Sequence, residues 1–171
     1  MIILMYKKNF AKKSFRFFYY LVAIGFGSGL SPIIPGTIGS LCAIPLWWLM
    51  TFLSLKIYYL IIFLSICIGI YLCHHTTNDI GIHDHPSIVW DEFIGMWITL
   101  IGVPSITWQW ILIGFVIFRI FDFWKPWPIY WFDRNVHGGM GVIIDDIVAG
   151  TVSAIILHGL AYYSMDNNII I

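Results

Sequence analysis

FIGMWITLIGVPSITWQWILIGFVIFRIF, residues 93–121, is an apolar run too long for one simple membrane crossing, broken once at Gly102-Val103-Pro104-Ser105. Proline lacks an amide donor and steers the residue before it, here Val103, away from the helical region. The run therefore predicts two shorter helices that form a hairpin bent at Pro104. Acids bracket it: Asp91 and Glu92 open the first arm and Asp122 closes the second. A hairpin puts all three on one membrane face. A single tilted span would scatter the acids over both faces and leave Lys125 and Arg134 outside.

The remainder of the chain has the same apolar character. Hydrophobic residues make up 60% of the sequence and charged ones 11%, against about 45–50% and about 25% in a soluble domain. One domain of 171 residues has no core able to hide that much apolar surface, so its solvent is lipid. Three more apolar stretches stand out, Thr37–Ser54, Ile57–Cys73 and Val142–Tyr163. The first two each extend roughly 25 Å at 1.5 Å per residue, enough for a slightly thinned bilayer. The fold class expected is an all-α polytopic membrane protein, a single membrane-embedded domain over 1–171. It has a basic amphipathic segment over 1–24, with an interfacial helix at 6–24, a helical core over 25–164 and a tail over 165–171. The core holds about four membrane-embedded segments, the third being the proline-broken hairpin. A cleaved signal peptide does not fit, because no small-x-small site follows Phe17–Ile24 cleanly.

Net charge is zero, which gives no support to nucleic-acid binding, but the charges are unevenly spread. Lys7, Lys8, Lys12, Lys13 and Arg16 crowd the N-terminus, and on the hairpin topology Arg119, Lys125 and Arg134 join them, leaving Lys56 on the other face. Cations accumulate on the cytoplasmic side of membrane proteins, so that face is cytoplasmic. Cys42, Cys67 and Cys73 lie in or beside apolar runs and are expected to be buried, reduced thiols.

Ionisable groups near a bilayer core cost about 2.5–3.5 kcal/mol each on insertion scales, so Asp91, Glu92, Asp122, Asp145 and Asp146 need a reason. Asp145 and Asp146 are expected to open the last helix, and acids at helix N-termini complement the helix dipole, which would account for Asp91, Glu92, Asp145 and Asp146. Asp122, at a helix C-terminus, has no such excuse. Five converging acids repel one another unless they are protonated or bridged, and an all-oxygen cluster suits Mg²⁺ or Mn²⁺. Arg119, three residues before Asp122, with Lys125 and Arg134, either pairs with acids and headgroups or holds a phosphate.

The segment Gly25–Ser40 is rich in glycine, with Ser28 and Thr37 among its small residues. It is either a tightly packed interfacial loop or a lead into a helix N-terminus at Thr37 that points free amides at an anion. Gly138-Gly139-Met140-Gly141, ahead of Asp145 and Asp146, carries the same two readings. His74, His75, His83 and His85 lack zinc spacing, and His137 is the histidine best placed for chemistry. No Asp-x-Asp-x-Thr loop, Cys-x5-Arg loop or histidine-based lipid phosphatase signature is present. A metal-activated water or a carboxylate nucleophile remains as the route for hydrolysis.

The blocks GFGSGLSPIIPGTIGS (25–40), IVWDEFIGMWITL (88–100), GFVIFRIFDFWKPWPI (114–129) and WFDRNVHGGMGVIIDDIVAG (131–150) closely resemble phosphatidylglycerophosphatase A of Gram-negative bacteria. The likeness runs from about Leu21 to about Ala161. It implies a Mg²⁺-dependent inner-membrane enzyme, with its site facing the cytoplasm, that removes the terminal phosphate of phosphatidylglycerophosphate, leaving phosphatidylglycerol. On that reading Asp91, Glu92, Asp122, Asp145 and Asp146 hold metal; Arg119, Lys125, Arg134, Ser28 and Thr37 meet the phosphate; His137 or solvent supplies a proton; and Asp133 orients Arg134. The partners are the lipid substrate and the bilayer. The rivals are a CDP-alcohol phosphotransferase, whose Asp-Gly and Ala-Arg arrangement is absent, and a small ion transporter, which needs acids deep within its spans.

Overall fold

A computed structural model describes residues 18–80 and 85–166, and all regular structure among them is helical. A helical stretch, α1, covers 18–23 and leads into a 3-10 turn at Gly25–Leu30. Then follow α2 (Pro35–Met50), α3 (Leu55–Ile80), α4 (Trp90–Thr99), α5 (Trp108–Trp124), α6 (Ile129–Asn135) and α7 (Gly138–Asp166). The expected interfacial helix at 6–24 falls mostly outside the described residues, as do His83 and most of the tail.

Among the described residues, two helices are long and apolar enough to cross a membrane: α3 over Leu55–Asp79 and α7 over Gly138–Asp166. The long apolar run is broken into α4, a 3-10 turn at Leu100–Gly102, an extended Val103 and then α5.

Helix α4 is the hub. Every residue from Trp90 to Trp97 is buried, so it is apolar on all sides except where Asp91 and Glu92 sit in its first turn. Hydrogen bonds lock it to its neighbours: Trp97 Nε1 donates to the Ala43 carbonyl at 2.9 Å, Trp90 Nε1 to that of Ser65 at 3.2 Å, and Tyr58 Oη to that of Trp97 at 2.6 Å. Against α7, the crossing is made by small residues. A Cβ on Gly150 would lie 2.5 Å from the Gly95 carbonyl oxygen, so only glycine lets the two backbones meet there.

The two ends of the bundle differ in kind. At one end, Met50–Leu55 and Leu100–Ile106 enclose a mostly apolar pocket. At the other, the Ala23 carbonyl accepts the Val89 amide at 3.0 Å, and Tyr19 Oη donates to the Asp79 carboxylate. There too the last turn of α5 meets the first turn of α4 through Arg119 and Glu92, and Lys125 reaches α7 through Asp145.

Three expectations need correcting. Gly138-Gly139-Met140-Gly141 forms the first turn of α7 and not a loop. The reason is packing: a Cβ on Gly139 would lie 2.0 Å from the Ile70 carbonyl oxygen, so the glycine lets α7 press against α3. Asp145 and Asp146 consequently lie two turns inside α7 instead of opening it. Of the cysteines, Cys73 is buried, but Cys42 and Cys67 face outward from the helices.

Candidate active site

A polar cleft of about 600 Å³ opens at the polar end, between the N-termini of α2 and α4, the C-terminal part of α5 and the second and third turns of α7. Its walls carry Asp91, Glu92, Asp122, Asp133, Asp145 and Asp146, against only two cations, Arg119 and Lys125. Pro35, Gly36 and Thr37 bring the α2 N-terminus to the rim. Pro35 takes the first helical position, where its missing amide costs nothing, and the amides of Gly36 and Thr37 have no intrahelical partner.

At the cleft floor three helices converge. One carboxylate oxygen each from Glu92 (α4), Asp122 (α5) and Asp146 (α7) lie within 4.8 Å of one another, the one such group of three among the described residues. Glu92 and Asp146 are buried, and the Asp122 side chain is 14% exposed. Arg119 faces two of the three: its Nη1 pairs with Glu92 Oε2 and lies 2.9 Å from Asp122 Oδ2. The same nitrogen donates to Ser40 Oγ at 3.2 Å, and the Ser40 hydroxyl is 2.8 Å from Glu92 Oε2.

Lys125 forms the second cation contact. It adopts a left-handed conformation at the end of α5 and bridges Asp133 Oδ1 and Asp145 Oδ2, each at 2.6 Å. Burial works against its charge, but the Asp145 carboxylate and then Asp133 outweigh it, so its pKa is raised above the usual lysine value. The other oxygen of Asp145, Oδ1, is buried with no hydrogen-bond partner. Asp91 turns one oxygen back onto the Glu92 amide at 3.0 Å.

The charge balance decides what the cleft can hold. Two unit charges about 4 Å apart interact by about 4 kcal/mol at an effective dielectric near 20. Three mutually close carboxylates therefore carry three repulsions of that order, and a single guanidinium reaching two of them cannot cancel all three. Glu92 and Asp122 each have a second oxygen beyond their contacts with Arg119 and Ser40. An all-oxygen donor set, an excess of acid and a buried orphan oxygen fit a hard divalent cation.

Not every residue singled out from the sequence reaches the cleft. Asp91, Glu92, Asp122, Asp145, Asp146, Arg119, Lys125 and Thr37 line it. Arg134 is exposed, with its guanidinium over the Tyr130 ring at 4.4 Å, and Asp133 pairs with Lys125. His137 is exposed, with Nδ1 3.3 Å from the Asn135 carbonyl oxygen, and Ser28 Oγ donates to the Gly25 carbonyl at 2.8 Å within its own turn. Neither lines the cleft. Sequence reasoning missed Ser40, fully buried between Arg119 and Glu92, because a serine in a run of small residues reads as helix packing.

The family model described as Phosphatidylglycerophosphatase A matches residues 21–161. A protein of that name from Escherichia coli strain K12 is 62% identical over 165 residues, covering 95% of this chain and 96% of that protein. One of the same name from Haemophilus influenzae is 46% identical, covering 85% of this chain and 90% of its own length. A Bacteroides thetaiotaomicron protein named putative phosphatidylinositol-3-phosphatase is 38% identical, covering 80% and 89%. No solved structure matches the chain.

Proposed function

The chain belongs to the phosphatidylglycerophosphatase A family and removes the terminal phosphate of phosphatidylglycerophosphate, and from that premise we propose which residues carry the reaction. Glu92, Asp122 and Asp146 hold a Mg²⁺ ion, with Asp91 and Asp145 beside them in the same cleft. The observation that carries this is the meeting of three carboxylates from three separate helices at one point. A bound Mg²⁺ would supply charge stabilisation to the phosphoryl oxygens and lower the pKa of a coordinated water.

The chain's own residues do the positioning. Arg119 presents a guanidinium fork to the phosphate, a geometry suited to bidentate contact. The amides of Gly36 and Thr37 offer neutral donors at the positive end of the α2 dipole. Lys125 adds charge while tying Asp133 to Asp145. With Arg134 and His137 outside the cleft lining, the leaving glycerol oxygen takes its proton from solvent.

In the bilayer, α2, α3 and α7 cross, and α4 with α5 enters from the cleft side and returns to it. The basic N-terminal run, Arg119, Lys125 and Arg134 then share the cytoplasmic face of the bacterial inner membrane, opposite Lys56.

The test is phosphate release by the purified protein in detergent from phosphatidylglycerophosphate, compared with phosphatidic acid and a phosphatidylinositol phosphate. Turnover is expected with phosphatidylglycerophosphate and Mg²⁺, and none with EDTA. Glu92→Gln, Asp122→Asn and Asp146→Asn should each lower kcat on the order of a hundredfold or more. Full activity in all three variants, or turnover indifferent to EDTA, would end this assignment.

A further inference from the structure

The polar cleft has an apolar annex. A groove of about 370 Å³ runs between α2 and α5, lined by Thr37, Phe115, Val116, Arg119, Ile120 and Phe123. Three of these, Thr37, Arg119 and Phe123, also line the polar cleft, so the two spaces adjoin along these side chains. Beyond Arg119 the groove is almost wholly apolar and open to the outside of the bundle. Val116, Ile120 and Phe123 form one stripe of α5 at helical spacing and are 44%, 50% and 89% exposed.

We propose that this groove seats an acyl chain of the lipid substrate, and that the lipid enters the site sideways from the bilayer between α2 and α5. The proposal rests on the reading of the cleft as the phosphatase site and deepens it. The occupant follows from the chemistry of the substrate. Its terminal phosphate is joined through one glycerol and a phosphodiester to a second glycerol, whose two hydrocarbon chains stay in the membrane. An apolar groove that adjoins the phosphate site and opens outward from the bundle suits such a chain. The rim formed by Pro86 and Ile88 belongs to the loop preceding α4, whereas the groove is walled by five residues of α5 and reaches α2 at Thr37. Arg119 lines both spaces, so the groove starts beside the phosphate end of the site and leads away from it over apolar side chains. Chain contact in the groove supplies binding energy remote from phosphorus, the kind that orients the reacting group.

The test compares a long-chain substrate with its water-soluble deacylated headgroup, using the full-length protein in detergent. Val116→Trp and Ile120→Trp fill the groove from outward-facing positions that touch neither acid nor phosphate. Each is expected to lower kcat/KM for the long-chain lipid by about tenfold or more, the scale of a misfit in an apolar pocket, mainly through KM. Turnover of the soluble headgroup should fall far less. Ile155→Trp, at an exposed position on α7 away from the groove, is the control and should leave the ratio of the two substrates unchanged. As a second measurement, a photoreactive group placed at the middle of one acyl chain should label α5 in preference to α3. An unchanged substrate ratio in both groove variants, or labelling confined to α3, would overturn the groove assignment while leaving the phosphatase reading intact. Loss of both activities in the wild-type protein on chelation would be expected under either outcome. Wild-type protein inert on both substrates with Mg²⁺ present would instead sink the phosphatase reading itself.

Discussion

A Cβ at Gly36 would lie 2.0 Å from Glu92 Oε1 and 3.4 Å from Arg119 Nη2. The absence of a side chain there is thus what allows the Glu92 carboxylate to sit against the first turn of α2. In an ordinary helix, Gly→Ala gains about 1 kcal/mol of propensity. At Gly36 that gain is set against displacement of the Glu92 carboxylate from the proposed metal site, and a shift of about 1 Å in a positioned group can cost on the order of a hundredfold in rate. Gly36→Ala is therefore expected to keep or slightly raise the thermal midpoint in detergent while lowering kcat by about that factor. A variant with unchanged kcat would show that Glu92 need not sit where it does. Ser40 belongs to the same cluster but was invisible in the sequence, because its role depends on a residue 52 positions away. The acids were legible for the opposite reason: each is costly in so apolar a chain, so each calls for an explanation wherever it folds.

Among the helices, one side chain at the end of α5 ties α6 to α7 by charge. Lys125 bridges Asp133 at the end of α6 and Asp145 inside α7. Its raised pKa fixes the sign of the pH dependence: the contribution is fully present below the unfolded lysine value of about 10.4 and fades only as pH rises through the higher folded value. An alkaline loss of activity near pH 9 would therefore not come from Lys125. Removing it should strand Asp145, whose side chain is 9% exposed. The cost should fall between the roughly 1 kcal/mol of an exposed pair and the roughly 3–5 kcal/mol of a broken buried one. Lys125→Met is expected to lower Tm in detergent, and Lys125→Met with Asp145→Asn to recover part of the loss by removing the stranded charge. A double variant no more stable than the single would contradict this pairing. Sequence pattern expected Asp133 to orient Arg134; a seven-residue helix following two prolines turned it onto Lys125 instead, a geometry no spacing rule anticipates. The glycines before Asp145 misled for a similar reason. Their small size serves the approach of α7 to α3, which is visible only once both helices are placed.

Over the whole molecule, a net charge of zero conceals a strong separation. Six carboxylates and two cations line one cleft, while Met50–Leu55 and Leu100–Ile106 enclose a mostly apolar pocket at the opposite end. Composition alone indicated lipid surroundings, and long apolar runs located α2, α3, α4, α5 and α7, although α3 continues to Ile80 past the expected Cys73 and α6 stands where a loop was expected. What composition could not convey was convergence: Glu92, Asp122 and Asp146 come from three helices whose meeting depends on the close glycine contact between α4 and α7. The central claim is that this convergence binds a divalent cation. Mn²⁺ titration of the purified protein, followed by loss of the free-ion electron paramagnetic resonance signal, reads it directly. Saturable uptake that Mg²⁺ displaces, greatly weakened in Asp146→Asn, is the expected result; no uptake by the wild type, or equal uptake by the variant, would contradict it.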